Sequence, residues 1–131
     1  MADPISTALS GLNASVARVA QAADNIANAG SRAPRPGADP KPGEFTPRDV
    51  RQSSTPGGGV STTSVVRSPA SLLAFSPGAP GAAEDGTVAI PNVDFAAEIV
   101  DTITARASYR AAAEVIKTAD ELEKEALDIT T

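Results

Sequence analysis

Apolar positions in the first quarter of the chain repeat with a helical period. Ile5, Leu9, Leu12, Val16, Val19, Ala23 and Ile26 are separated by steps of 4, 3, 4, 3, 4 and 3, the alternation of a heptad seam. Ser6, Asn13, Gln21 and Asn28 fall off that seam. Asp3 and Pro4 mark a helix start, because a carboxylate accepts from orphan N–H groups there and proline at the first helical position gives up no hydrogen bond. Gly30 suits a left-handed C-cap. The pattern predicts a helix from about residue 4 to 29, roughly 38 Å long. It fits an amphipathic helix lying on its own domain, and it fits a coiled-coil strand that takes a partner.

A second stripe occupies the other end. Ala96, Ile99, Ile103, Ala107, Ala111, Val115, Ala119, Leu122, Ala126 and Ile129 recur at a mean step of about 3.67 residues, close to that of an undistorted helix. Phe95, Val100, Tyr109, Ile116 and Leu127 widen the stripe or lie beside it. A helix with apolar residues on more than one side needs more than one neighbour. Asn92 or Asp94 supplies its N-cap.

Between the two ends the pattern collapses. Of ten glycines and eleven prolines, all but Pro4 and Gly11 fall between Gly30 and Pro91, and both residue types break helices. Val60–Val66 is β-branched and reads as one strand, and Thr87–Ile90 reads as a second that stops at Pro91. The segment is compatible with a disordered linker or with a small β-rich insert. The predicted architecture is therefore mainly α: an N-terminal helix in 1–30, a Pro/Gly-rich insert with at most a few short strands in 31–91, and a C-terminal helix in 92–131. The fold expected is an antiparallel, coiled-coil-like pair of these helices.

Composition narrows the function. Much of the 41% apolar content is alanine, and aromatics make up 3%. Burial contributes roughly 25 cal/mol per Å² of apolar surface, so a core of alanines is weak alone and suited to close helix packing. The net charge is −5, carried mostly by residues 92–131. The bases Arg32, Arg35, Lys41, Arg48 and Arg51 have no interleaved aromatics or phosphate loop, which argues against a nucleic-acid partner. With no Cys and no His, thiolate sites and the commonest acid–base group are excluded. No nucleophile–base pair or metal set stands out, Asp120 and Glu123 reading as a wet helical face, so neither an enzyme, a cofactor nor a small-molecule substrate is expected. No apolar run reaches the ~18 residues of a membrane span.

Two motifs go further. Leu9-Ser10-Gly11-Leu12-Asn13-Ala14 is followed by Ala23-Asp24-Asn25-Ile26-Ala27-Asn28-Ala29. At the other end, Gly86-Thr87-Val88-Ala89-Ile90-Pro91-Asn92-Val93-Asp94 leads into Glu98-Ile99-Val100, Ala105-Arg106-Ala107-Ser108-Tyr109 and Val115-Ile116-Lys117-Thr118-Ala119-Asp120-Glu121. Together they resemble the terminal motifs of the bacterial flagellar basal-body rod and hook proteins, in the same order. Asp24 stands where that family usually has Asn.

The resemblance implies terminal helices that pair within a subunit and pack against neighbours around a rod, with the middle facing outward. It implies partners among other rod subunits and copies of itself. It also implies export by the flagellar type III apparatus without a cleaved signal peptide, and assembly in the periplasmic rod. Subunit packing is then expected at Leu9, Gly11, Leu12, Val16, Val19, Ile26, Asn28, Ile99, Ile103, Tyr109, Val115, Ile116 and Leu122. Free subunits are expected to be partly disordered and to order on assembly. The alternative is a non-flagellar coiled-coil adaptor or secretion chaperone, which would stay in the cytoplasm.

Overall fold

The computed structural model describes residues 3–129. Its elements are α1 (Pro4–Asn28), β1 (Arg48–Ser54), β2 (Val60–Val66), β3 (Ser71–Phe75), β4 (Thr87–Pro91) and α2 (Phe95–Ile129). The fold is mainly α, with the two long terminal helices packed together and four short strands in the intervening chain. The helices are antiparallel: Gly11 faces Ala112, and Arg18 reaches back to Asp101 in a 3.0 Å salt bridge.

Both helix starts follow from their caps. Ile5 and Ser6 donate backbone N–H groups to the Asp3 carboxylate at 3.1 and 3.2 Å. Ala96 and Ala97 donate to Asp94 Oδ1 at 2.9 and 3.2 Å. Asn92, the other capping candidate, instead donates its side-chain amide to the Pro69 carbonyl at 2.9 Å. The end of α1 differs from expectation. Gly30 is absent from the positive-φ glycines, so it is not a left-handed cap. Tight turns close the helix instead, with Ala29 N–H donating to the Ile26 carbonyl and Ser31 N–H to that of Asn28.

The middle segment carries more strand than its residue pattern announces. β2 has the predicted limits, and β4 runs one residue past its predicted end to include Pro91. β3 pairs antiparallel with β4 in a register from Ser71↔Pro91 to Phe75↔Thr87. β1 pairs with β2, and the intervening turn uses Gly57, Gly58 and Gly59 at φ of 95°, 102° and 85°, a region that side chains disfavour.

The chain divides into two compact units. One comprises Met1–Ala20, Val50–Thr63 and Val100–Thr131; the other comprises Gln21–Asp49 and Ser64–Ile99. In the first, Val60 N–H donates to Ser10 Oγ at 3.0 Å and holds strand to helix. In the second, Arg35 donates to Thr87 at 3.0 Å, and Ser71 donates to the Pro34 carbonyl at 2.6 Å. The Asp85 carboxyl there is held below its ordinary value of 3.8, first by the hydroxyl of Thr87 and then by its backbone N–H.

Among the described residues the buried aliphatic side chains are alanines, Ala8, Ala14, Ala22, Ala33, Ala89 and Ala105, joined by the prolines Pro34, Pro47 and Pro91. Small side chains let the helix backbones come close. A Cβ added at Gly11 would sit 3.7 Å from the Ala112 Cβ, an ordinary contact. Gly11→Ala therefore fits and removes the entropic cost of a mid-helix glycine, which is about 1 kcal/mol. A rise in the thermal midpoint of the isolated chain is expected; a fall would mean that α1 and α2 cannot accommodate one methyl group.

Candidate assembly surface

Which side of each helix faces its partner decides what remains for neighbours. On α1 the buried positions are Ala8, Ala14, Ser15, Ala22 and Asn25, with Gly11 half-buried between them. Ala8, Gly11, Ser15, Ala22 and Asn25 lie one residue before Leu9, Leu12, Val16, Ala23 and Ile26 of the large apolar seam. On α2 Glu98 and Ala105 are buried, and Thr102, Ala112, Ile116 and Ala119 are half-buried along the same line. The subunit thus closes its own helix pair with small and polar residues and turns much of its bulky apolar surface outward.

The sequence-predicted packing residues divide accordingly. Leu9 is 50% exposed and Val16 55%, whereas Leu12, Val19 and Ile26 are half-buried beside the intramolecular line. On α2, Ile99, Ile103, Tyr109, Val115 and Leu122 are all exposed, Ile103 and Leu122 at 60% each. Ile116 is half-buried. Gly11 faces Ala112 inside the subunit. Asn28 donates its side-chain amide back to the carbonyl and carboxylate of Asp24, both at 3.0 Å, so Asp24 braces the last turn of α1.

Two concavities open in the unit that contains Met1–Ala20. One, of about 390 Å³, is lined by Ser15, Val16, Val19 and Ala20 of α1 and by Arg106, Tyr109 and Arg110 of α2. The other, of about 610 Å³, lies among Pro4, Ala8 and Gly11, the Gly59–Val60 turn, and Ala111, Ala112 and Val115. Neither brings together a catalytic set, and no cluster of metal-ligating side chains occurs among the described residues. No described helix is long and apolar enough to cross a membrane.

The other unit holds a polar lock that residue spacing did not reveal. Asn25, 1% exposed, donates to the Arg48 carbonyl at 2.9 Å and to Glu98 Oε1 at 3.1 Å, and it accepts from Arg48 N–H at 3.2 Å. Glu98 Oε1 also accepts from Arg67 Nη2 at 2.7 Å. Arg67 completes its contacts with Asp49 Oδ1 at 2.6 and 2.9 Å and the Asn92 carbonyl at 3.0 Å. The hydrogen bond to Asp49 chiefly holds the guanidinium pKa above its ordinary value, against the pull of burial. Burying a carboxylate is costly unless it is paired and hydrogen-bonded, and Glu98 is both. Asn25 and Glu98 belong to the two terminal motifs, so the motif asparagine and glutamate meet in space. The only advance signal was a polar residue on the inner flank of each apolar stripe.

The basic run of the middle segment does not gather into an anion site. Arg48 donates to the Ser64 hydroxyl and carbonyl at 2.9 and 3.2 Å, and Arg35 serves Thr87 and Asp85.

Comparison with known proteins agrees with this architecture. Residues 84–129 match the family model described as "Flagellar basal body rod FlgEFG protein C-terminal". The chain is 38% identical over 117 residues to the flagellar basal-body rod protein FlgC of Yersinia enterocolitica, covering 86% of this chain and 85% of that protein. It is 39% identical over 113 residues to FlgC of Salmonella typhimurium, covering 83% and 82%. FlgC of Escherichia coli O6:H1 is 38% identical over the same length. With motifs, paired terminal helices and near full-length similarity in agreement, the chain belongs to the FlgC family of flagellar basal-body rod proteins.

Proposed function

We propose that the outward apolar stripes of α1 and α2 are the surfaces by which this structural rod subunit joins its neighbours, copies of itself included. The observations that carry this are the one-residue offset on α1 between the buried line and the line of large side chains, and the exposure of Ile99, Ile103, Val115 and Leu122 on α2. A monomer selected to stand alone would bury Leu9, Val16, Ile103 and Leu122 before Ala8, Ser15 and Ala105. Fully burying one large aliphatic side chain contributes about 1.5–3 kcal/mol, so several half-exposed ones supply a substantial drive to assemble. A heterologous contact that does not close on itself propagates as a helix, the form of a shaft. In this reading residues 1–30 and 92–131 are axial, residues 31–91 face away from the axis, and close alanine-lined packing gives the stiffness that torque transmission needs. Delivery runs through the flagellar type III export apparatus to the periplasmic rod.

The test is fractionation of a flagellated host that carries the tagged full chain. The protein is expected in purified basal bodies. Retention of the whole pool in the cytosol, with basal bodies lacking it, would favour the adaptor or chaperone reading instead.

A further inference from the structure

Resting on that assignment of the stripes to subunit packing, we infer that the end of α2 from one copy docks in the Val16–Tyr109 groove of a second copy, with Glu121 and Glu125 paired to Arg106 and Arg110. The groove has an apolar floor from Val16, Val19, Ala20 and Tyr109, and Arg106 and Arg110 stand along its α2 side. Among the described residues neither arginine forms a salt bridge. Separated by four residues, they present two cations on one side of the helix, roughly 6 Å apart.

The end of α2 is the complement. Every residue from 121 to 129 is exposed, including Leu122 at 60% and Ile129 at 80%. Leu122, Ala126 and Ile129 form one apolar stripe at steps of 4 and 3. Glu121 and Glu125 run along one flank of that stripe, again four residues apart and so at the spacing of the two arginines. Among the described residues Glu121 pairs with Lys117, at 3.8 Å on the surface, a pair of little worth. No basic residue lies in the last turn, so these carboxylates oppose the helix dipole until a cation from elsewhere offsets them.

The same chain cannot fill its own groove with this segment. α2 is continuous from Phe95 to Ile129, and Leu122 lies roughly 18 Å beyond Arg110 along it. A second copy supplies the segment, and because groove and end are different surfaces, each occupied copy still offers its own end to the next.

Charge reversal tests the contact in the full-length chain by analytical ultracentrifugation, with helix content and melting as folding controls. Arg106, Arg110, Glu121 and Glu125 are exposed, so the variants are expected to fold normally. Arg106→Glu with Arg110→Glu, and separately Glu121→Arg with Glu125→Arg, should each weaken self-association roughly tenfold or more. Mixing the two variants should restore it, because each then offers the charge that the other lacks. The inference is overturned if the wild-type chain stays monomeric at its solubility limit, if either variant associates as wild type does, or if the mixture fails to recover. Basal bodies that still contain the chain under any of those results would leave the stripe assignment standing and remove this contact alone.

Discussion

Ile103→Asp is expected to exclude the chain from the rod while leaving its own fold intact. Ile103 is 60% exposed on α2, so the substitution disturbs little inside the subunit, where surface changes usually stay within about 0.5 kcal/mol. In the assembly the same site is proposed to be desolvated. An aspartate there loses the apolar contact and places an unpaired charge in a packed surface, a cost of several kcal/mol. Every 1.4 kcal/mol is about a factor of ten in affinity, so incorporation should fall at least a hundredfold. Soluble expression and melting of the purified variant should match wild type, and basal bodies should lack it. Leu12→Asp should also block incorporation, with a larger effect on the monomer because Leu12 is half-buried. Normal motility in the Ile103 variant would contradict the outward-stripe assignment.

Arg67→Met is expected to act in the opposite place, on the fold of the subunit. Glu98 has a side chain 3% exposed, and Arg67 is the cation that meets it. Removing the guanidinium takes the salt-bridge partner from a buried carboxylate and leaves it the hydrogen bond from Asn25, and breaking a buried ion pair in this way typically costs about 3–5 kcal/mol. Total stabilities of about 5–15 kcal/mol are usual, so the variant should lose a large share of its resistance to denaturant. The bond to Asp49 adds less, because that carboxylate is 45% exposed and screened by water. A companion Glu98→Met should recover much of the loss, since it removes the buried charge that Arg67 offsets. Equal stability of Arg67→Met and wild type by urea denaturation would show that the lock is ornamental.

The residue pattern exposed the helices because long periodic stretches with caps are strong signals. Asp3–Pro4 and Asp94 act as their positions suggested. β2 and β4 were legible from β-branched runs ending at turn residues. β1, Arg48–Ser54, was not: its residues are mostly polar and exposed, and pairing with β2 rather than a buried face makes it a strand. β3, Ser71–Phe75, is a short apolar run whose pairing with β4 decides its conformation, and periodicity is silent at that length. The apolar seams were legible, but which side of each helix faces the helix pair was not. Periodicity marks where large side chains lie, whereas the buried positions are Ala8, Ser15 and Ala105, with Gly11 set against Ala112, and these carry little hydropathy signal. The lock was hidden for a different reason: Asn25, Asp49, Arg67 and Glu98 are far apart in sequence and meet only through the fold.

The absence of cysteine allows a direct test of which surface the rod covers. Ile103→Cys can be introduced as the sole thiol and its reaction with a maleimide compared between the free chain and purified basal bodies. Rapid labelling of the free chain and strong protection in basal bodies is the predicted result. Equal labelling in both states would place that stripe in solvent and contradict the assembly surface described above.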